Sequence, residues 1–208
     1  MKKLIKENST GAKGISIRTV NYIIVVFITV LLFFSACSTG TKQDDGEAVA
    51  EENQEEKQDK VTANATLEAT SGSKVTGEVN FAEENGNVRL ELNADNLTPG
   101  EHAVHLHEKG DCSAEDASSA GGHWNPAMKP HGKRGGGGSY HKGDIGNMTV
   151  GNDGKGTLSL SIEGWSIGGS DSTNIIGKSV IIHEKADDFT SQPAGNAGAR
   201  ISCGVIKN

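Results

Sequence analysis

Residues 100–112 hold three of the chain's seven histidines and one of its three cysteines: His102, His105, His107 and Cys112. His105 and His107 stand two apart, and in a β-strand residues i and i+2 project from one face. Two neutral imidazoles aimed at a common point supply half of a tetrahedral or square-planar metal site. The candidates for the other half are His123, His131, His141 and His183, with Asp144 three residues after His141. His123, His131 and His141 fall in a glycine-rich stretch that Asp144 closes. That is the composition of a loop in which a bound metal replaces a missing core.

Strands must position these side chains. Short apolar runs at residues 63–69, 74–82, 88–94, 100–107, 148–150, 157–162, 179–183 and 199–205 are punctuated by Gly, Asn and Asp, with no helical period after residue 61. Asn85-Gly86 joins the second run to the third, and Asn152-Asp153-Gly154 joins the fifth to the sixth. Both are hairpin signals, because tight hairpin turns need positive φ. Seven or eight strands at this spacing predict an all-β sandwich or barrel. Two long segments, 108–147 and 184–198, break the rhythm and carry most of the polar chemistry. Long loops inside a compact domain are commonly functional.

The first 36 residues read as a targeting leader. Lys2, Lys3, Lys6, Lys13 and Arg18 precede an apolar run at 22–36, which is short for a bilayer span of about 20 residues. The run ends in Phe34-Ser35-Ala36-Cys37, which resembles a bacterial lipoprotein signal with Cys37 as the lipidated residue. An uncleaved anchor and plain secretion are the other readings, and all three place the remainder outside the cytoplasm. Residues 37–60 are dominated by Asp and Glu and lack aromatic side chains. Such a segment buries too little surface to offset its conformational entropy and reads as a disordered tether.

Residues 61–208 are enough for one domain with a sizeable core. Removing the leader's five basic residues and one acidic residue from the chain's 20 and 27 leaves 15 Lys and Arg against 26 Asp and Glu. This acidic balance argues against nucleic acid as a partner, and an anionic substrate needs a local positive patch. With Cys37 lipidated, Cys112 and Cys203 remain as a pair, for which a disulfide is the default outside the cytoplasm.

Five runs, in order along the chain, carry a resemblance. They are His102-Ala103-Val104-His105-Leu106-His107-Glu108 with Gly110-Asp111, then Ala120-Gly121-Gly122-His123-Trp124-Asn125-Pro126. After these come His141-Lys142-Gly143-Asp144 with Gly146-Asn147, and His183-Glu184-Lys185-Ala186-Asp187-Asp188. The last is Gly195-Asn196-Ala197-Gly198-Ala199-Arg200 with Cys203-Gly204-Val205-Ile206. Across residues 61–208 the chain resembles the copper/zinc superoxide dismutase family. The resemblance implies an eight-stranded Greek-key sandwich or flattened barrel with two long functional loops. It implies an enzyme that converts two superoxide radicals to dioxygen and hydrogen peroxide by Cu(II)/Cu(I) cycling, with zinc structural.

Residue by residue, the resemblance implies copper at His105, His107, His123 and His183, and zinc at His123, His131, His141 and Asp144. His123 would bridge the metals as an imidazolate and carry the catalytic proton. Asp187 would link a copper-ligand imidazole to a zinc-ligand one, Arg200 would hold the anion, and Cys112–Cys203 would be the disulfide. His102 matches a structural histidine. Donor chemistry agrees with this partition: an all-imidazole set suits redox-active copper, and a carboxylate among imidazoles suits zinc.

The second long loop is short for the family and lacks its cluster of steering charges, Cys112 follows Gly110-Asp111 at once, and Ala103 replaces a common Gly. Lys142 and Lys185 are either local sources of positive field or solvated cations. The sequence therefore predicts an extracytoplasmic enzyme, lipid-anchored to the cell membrane, with superoxide as its small anionic partner. The rival is a non-enzymatic copper/zinc-binding lipoprotein that buffers or delivers metal, although such a protein has no need of an anion-holding Arg200.

Overall fold

The computed structural model describes residues 60–208; the leader at 1–36, Cys37 and the acidic segment as far as residue 59 lie outside the described residues. Eight strands form: β1 (Thr62–Ala69), β2 (Thr76–Glu84), β3 (Asn87–Asp95), β4 (Gly100–His107), β5 (Asp144–Val150), β6 (Gly156–Glu163), β7 (Ser179–His183) and β8 (Arg200–Val205). They close into a barrel in the order β1-β2-β3-β6-β5-β4-β7-β8. β3 pairs with β6 instead of β4, and β4 lies between β5 and β7. Non-sequential neighbours of this kind are Greek-key connections, and closure of the barrel removes exposed sheet edges.

In β3 the apolar residues Val88, Leu90, Leu92 and Ala94 are buried, and the polar residues between them are partly or fully exposed. The two-residue period puts that set inside the barrel, where it meets Val79, Phe81, Leu106, Met148, Ile162, Val180 and Ile182. β4 and β7 break the alternation, since β4 is buried from His102 to His107 and β7 throughout. Val104 and Leu106 belong to the barrel core, so His105 and His107 project from its outer face. The connections at 108–143 and 184–199 cover that face. A small cluster of Ala117, Ala120, Ile181 and Cys203 seals one part of the cover.

Several boundaries differ from the apolar pattern. β2 starts at Thr76 and β5 starts at Asp144, because pairing with β4, not apolar content, defines the start of β5. The long segment expected to run to residue 147 therefore ends at Gly143. The Asn152-Asp153-Gly154 turn does join β5 to β6, yet these strands pair only at Val150 and Gly156. It is a corner where the chain changes partners. A third connection, residues 164–178, gives no metal-like signal but buries Trp165, Ile167 and Ile175.

Candidate metal centre

Two register shifts bring the polar residues together. Between β4 and β5 the shift falls at Val104/His105, and it sets His105 opposite Asp144. Between β7 and β8 it falls at Ile182/His183, and it sets His183 opposite Arg200. A β-bulge adds a residue to one strand and re-aims the side chains beside it. Here each bulge makes neighbours of two residues that the sequence marks for the site. His123 joins through an isolated bridge to His107.

A ring of main-chain hydrogen bonds ties the three histidine-bearing segments. Leu106 N–H donates to the Gly143 carbonyl, Gly143 N–H to the Trp124 carbonyl, and Trp124 N–H to the Leu106 carbonyl, each at 2.8 Å. Only glycine fits at 143, where a Cβ would overlap the Leu106 carbonyl and lie 2.9 Å from the Trp124 nitrogen.

His105, His107, His123 and His183 form one group of potential metal donors, and His123, His131, His141 and Asp144 form a second. Within each group the donor atoms lie within 4.8 Å of one another, and all the residues are buried. In the first group the outward nitrogens have partners. His105 Nε2 meets Asp187 Oδ2 at 2.8 Å, His107 Nδ1 the Gly121 carbonyl at 2.9 Å, and His183 Nδ1 the Gly198 carbonyl at 3.3 Å. Each contact places the ring hydrogen on the outward side and leaves a lone pair facing in.

The inward atoms, His105 Nδ1, His107 Nε2, His123 Nε2 and His183 Nε2, are buried without a hydrogen-bond partner. Leaving a buried polar atom unsatisfied costs about 1–3 kcal/mol. A copper ion would satisfy all four at once.

In the second group Asp144 Oδ1 lies 2.8 Å from His123 Nδ1 and 3.3 Å from His141 Nδ1, and Asp144 Oδ2 lies 3.0 Å from His131 Nδ1. The Nδ1 atoms of His123 and His141 are 3.3 Å apart. A tetrahedral ion with bonds of about 2.0–2.1 Å has ligand–ligand edges of about 3.3 Å. The two 3.3 Å contacts match the edges of a zinc-sized tetrahedron, and the two shorter ones are at hydrogen-bond distance. His123 offers Nε2 to one group and Nδ1 to the other, so serving both means losing both ring protons.

Asp187 joins the two groups. Its Oδ2 meets His105, and its Oδ1 meets His131 Nε2 at 2.9 Å. Asn147 grips the Asp187 main chain, accepting its N–H at 2.8 Å and donating to its carbonyl at 3.0 Å. Gly195 leaves the space Asp187 needs, since a Cβ there would overlap Oδ1 and lie 2.8 Å from His131 Nε2. The Gln192 amide clamps His131, accepting its N–H at 2.9 Å and donating to its carbonyl at 3.0 Å.

Arg200 donates from Nη1 to the Ala117 carbonyl at 2.6 Å and from Nη2 to the Gly121 carbonyl at 2.7 Å. The Gly121 carbonyl thus holds both Arg200 and His107. Cys112 and Cys203 are disulfide-bonded with Cα atoms 5.8 Å apart, which tethers the segment that bears these two carbonyls to β8. His102 is in neither donor group: its Nδ1 lies 2.8 Å from the His183 carbonyl and its Nε2 2.9 Å from the Thr98 carbonyl. Lys142 donates from Nζ to the Ser172 carbonyl at 2.6 Å, in the connection between β6 and β7.

Burial holds His105, His107 and His183 in the neutral, ligating form. It lowers His105 from the ordinary 6.5 to about 4 and His183 to about 3, the latter helped by the neighbouring charge of His105. His107 is lowered further still, again chiefly by burial. Burial acts to raise the Asp144 carboxyl, but the His123 ring and the N–H groups of His141 and Gly132 outweigh it and hold it well below the usual range. Asp187 balances in the same way, with burial opposed by His105 and His131.

Residues 75–206 match the profile of copper/zinc superoxide dismutase (SODC). The chain belongs to the copper/zinc superoxide dismutase family. Its relatives include a Cu-Zn superoxide dismutase of Caulobacter vibrioides, 38% identical over 151 residues that cover 70% of this chain and 86% of that enzyme. The superoxide dismutase-like protein YojM of Bacillus subtilis is 40% identical over 121 residues, or 56% of this chain. That match spans 61% of the Bacillus protein, less than two thirds of its length. A crystal structure of a double mutant of a SOD-like protein from Bacillus subtilis superposes with a TM-score of 0.62 at 37% identity, covering 68% of this chain and 95% of that one. The enzyme class of the family is superoxide dismutase, and its cofactors are copper and zinc, for which the two donor groups provide sites.

The donor groups hold every histidine that the sequence marks as a ligand, together with Asp144. Sequence reasoning assigned no role to Asn147, Gln192 or the Gly121 carbonyl. Asn147 and Gln192 act through the main chain of residues distant in sequence, and a main-chain partner leaves no pattern of residue types.

Proposed function

We propose that this chain is an extracytoplasmic superoxide dismutase whose first donor group takes copper and whose second takes zinc in a structural role. One observation carries the reading: a permanently charged guanidinium stands beside the all-histidine group. Arg200 pairs with His183 across the bulge, is anchored on two carbonyls, and bears electrostatically on both His107 and His183. A protein that merely stores metal has no use for that charge.

Copper, when bound, supplies the one-electron couple that disproportionation requires, and zinc has none. Arg200 holds the superoxide anion by charge-assisted hydrogen bonds from its free N–H groups. His123 takes up a proton at Nε2 in one half of the cycle and gives it to the reduced oxygen in the other, while Nδ1 stays in the second group. Overall, two superoxide anions and two protons give dioxygen and hydrogen peroxide. Asp187 keeps the His105 and His131 rings in register, and the second group closes the segment from 131 to 144.

Arg200→Ala tests this reading. Loss of a charge-assisted bond of about 1.5–3 kcal/mol should slow superoxide decay about 10- to 100-fold while copper content stays unchanged. An unchanged rate would refute the anion-docking role, whereas no copper-dependent decay in the unaltered chain would favour the metal-storage reading, which the name superoxide dismutase-like of the Bacillus relative keeps open.

The same reading assigns residues 1–36 to a lipoprotein signal, 37–60 to a tether beginning at lipidated Cys37, and 61–208 to the catalytic domain. The Cys112–Cys203 disulfide supports a compartment outside the cytoplasm. Mass spectrometry of the mature protein should find a diacylglyceryl group on Cys37; an intact leader would count against it.

A further inference from the structure

The chain between His131 and His141 has little means of ordering itself. Gly135, Gly136, Gly137 and Gly138 are all exposed, two of them at positive φ, and contribute nothing to the core. Yet the second donor group needs His131, His141 and Asp144 held to within tenths of an ångström. Arg134, just before the glycines, turns back into the protein. Its Nε donates to the Asp144 carbonyl at 2.8 Å and its Nη2 to the Lys142 carbonyl at 2.5 Å.

The Trp165 indole N–H donates to the same Lys142 carbonyl at 3.0 Å. The guanidinium carbon lies 4.9 Å from the Tyr140 ring centroid and 5.5 Å from that of Trp165. Among the described residues no carboxylate pairs with Arg134. Arg134 is half-buried, and a guanidinium withdrawn from water without an ion pair needs hydrogen bonds and ring contacts to hold it.

The two carbonyls it grips flank Gly143, the residue already fixed by the ring of bonds to Leu106 and Trp124. They also belong to, or adjoin, His141 and Asp144. We propose that Arg134 is a positioning residue of the second metal group, stapling the main chain at Lys142 and Asp144 so that His141 Nδ1 and the Asp144 carboxylate stand at ligand distance. The planar fork is required, because Nε and Nη2 reach two carbonyls in one geometry and a lysine ammonium does not. This inference rests on the reading that the second group takes zinc.

The test uses the full chain with copper in the first group and Co(II) as a spectroscopic probe in the second. Wild type should give the intense visible absorption of tetrahedral Co(II). Arg134→Lys, which keeps the charge, and Arg134→Met, which keeps the stem on the rings, should both lose intensity. Both should also release Zn(II) to a chelator with about 10- to 100-fold weaker affinity, as expected when support behind a ligand is lost. Arg89→Lys, at an exposed site, is the control and should match wild type. Wild-type spectrum and affinity in Arg134→Lys would overturn the proposal while leaving the zinc reading intact. A wild-type chain without a tetrahedral Co(II) spectrum would overturn both.

Discussion

Replacing His105 with alanine is expected to abolish superoxide turnover and to weaken copper binding by more than about a hundredfold. His105 Nδ1 is one of four inward nitrogens without another partner. Losing only the group behind a metal ligand costs about 10- to 100-fold in affinity, so losing the ligand itself should cost more. The effect should also cross to the second group. Asp187 would keep its contact with His131 but lose the 2.8 Å contact from its buried Oδ2 to His105. An orphaned buried acceptor costs about 1–3 kcal/mol, and zinc retention should fall modestly in consequence. His102→Ala is the informative contrast, because His102 braces main-chain carbonyls and stands in neither donor group. It should lower thermal stability and leave metal stoichiometry intact. Metal analysis beside stopped-flow superoxide decay separates the cases, and full turnover with copper retained in His105→Ala would refute the ligand assignment.

The metal-free protein should lose stability steeply as pH falls below about 6.5, well before its carboxylates titrate. The sign follows from the depressed histidines. His105 and His183 are lowered from 6.5 to about 4 and about 3 in the fold, whereas the unfolded chain binds protons at the ordinary value. Above 6.5 neither state is protonated and these groups contribute no pH dependence. Between 6.5 and about 4 the unfolded state takes up protons that the folded state refuses. Each such group then destabilises the fold by about 1.4 kcal/mol per pH unit.

His107 is depressed by the same burial and adds to the slope. The sum over two pH units is comparable with the about 5–15 kcal/mol that holds a typical domain together. Asp144 and Asp187 act in a separate window. Their folded values are depressed, so their contribution persists above the ordinary carboxylate value and is lost only as pH falls through the folded one. Thermal unfolding midpoints of the metal-free chain at neutral and mildly acid pH provide the check. A midpoint that does not move between about pH 7 and pH 5 would contradict the buried neutral histidines.

The parts of the centre legible in the sequence are those expressed as residue types at short spacing. His105 and His107 on one strand face, Asp144 three residues beyond His141, and the Asn85-Gly86 hairpin all follow from local rules. The covering of the outer face of β4 was not legible, because it depends on connections folding back over a strand far away in sequence. The bulges that set Asp144 against His105 and Arg200 against His183 were hidden for the same reason: each is a relation between two strands. β5 began earlier than its apolar residues suggest, since a strand with His105 as its partner starts at a polar ligand. Lys142 shows the opposite limit. Its charge left open a local field or a solvated cation, and only the folded chain shows its contact with the Ser172 carbonyl.

The most direct test of the central claim is superoxide decay catalysed by the full chain loaded with copper and zinc, measured beside the same chain loaded with zinc alone. The copper-loaded chain should consume many superoxide radicals per copper, at a rate proportional to protein, and the zinc-only chain should not exceed background. Consumption that stops at one superoxide per copper would show that the metal is held without turning over, and would contradict the assignment as an enzyme.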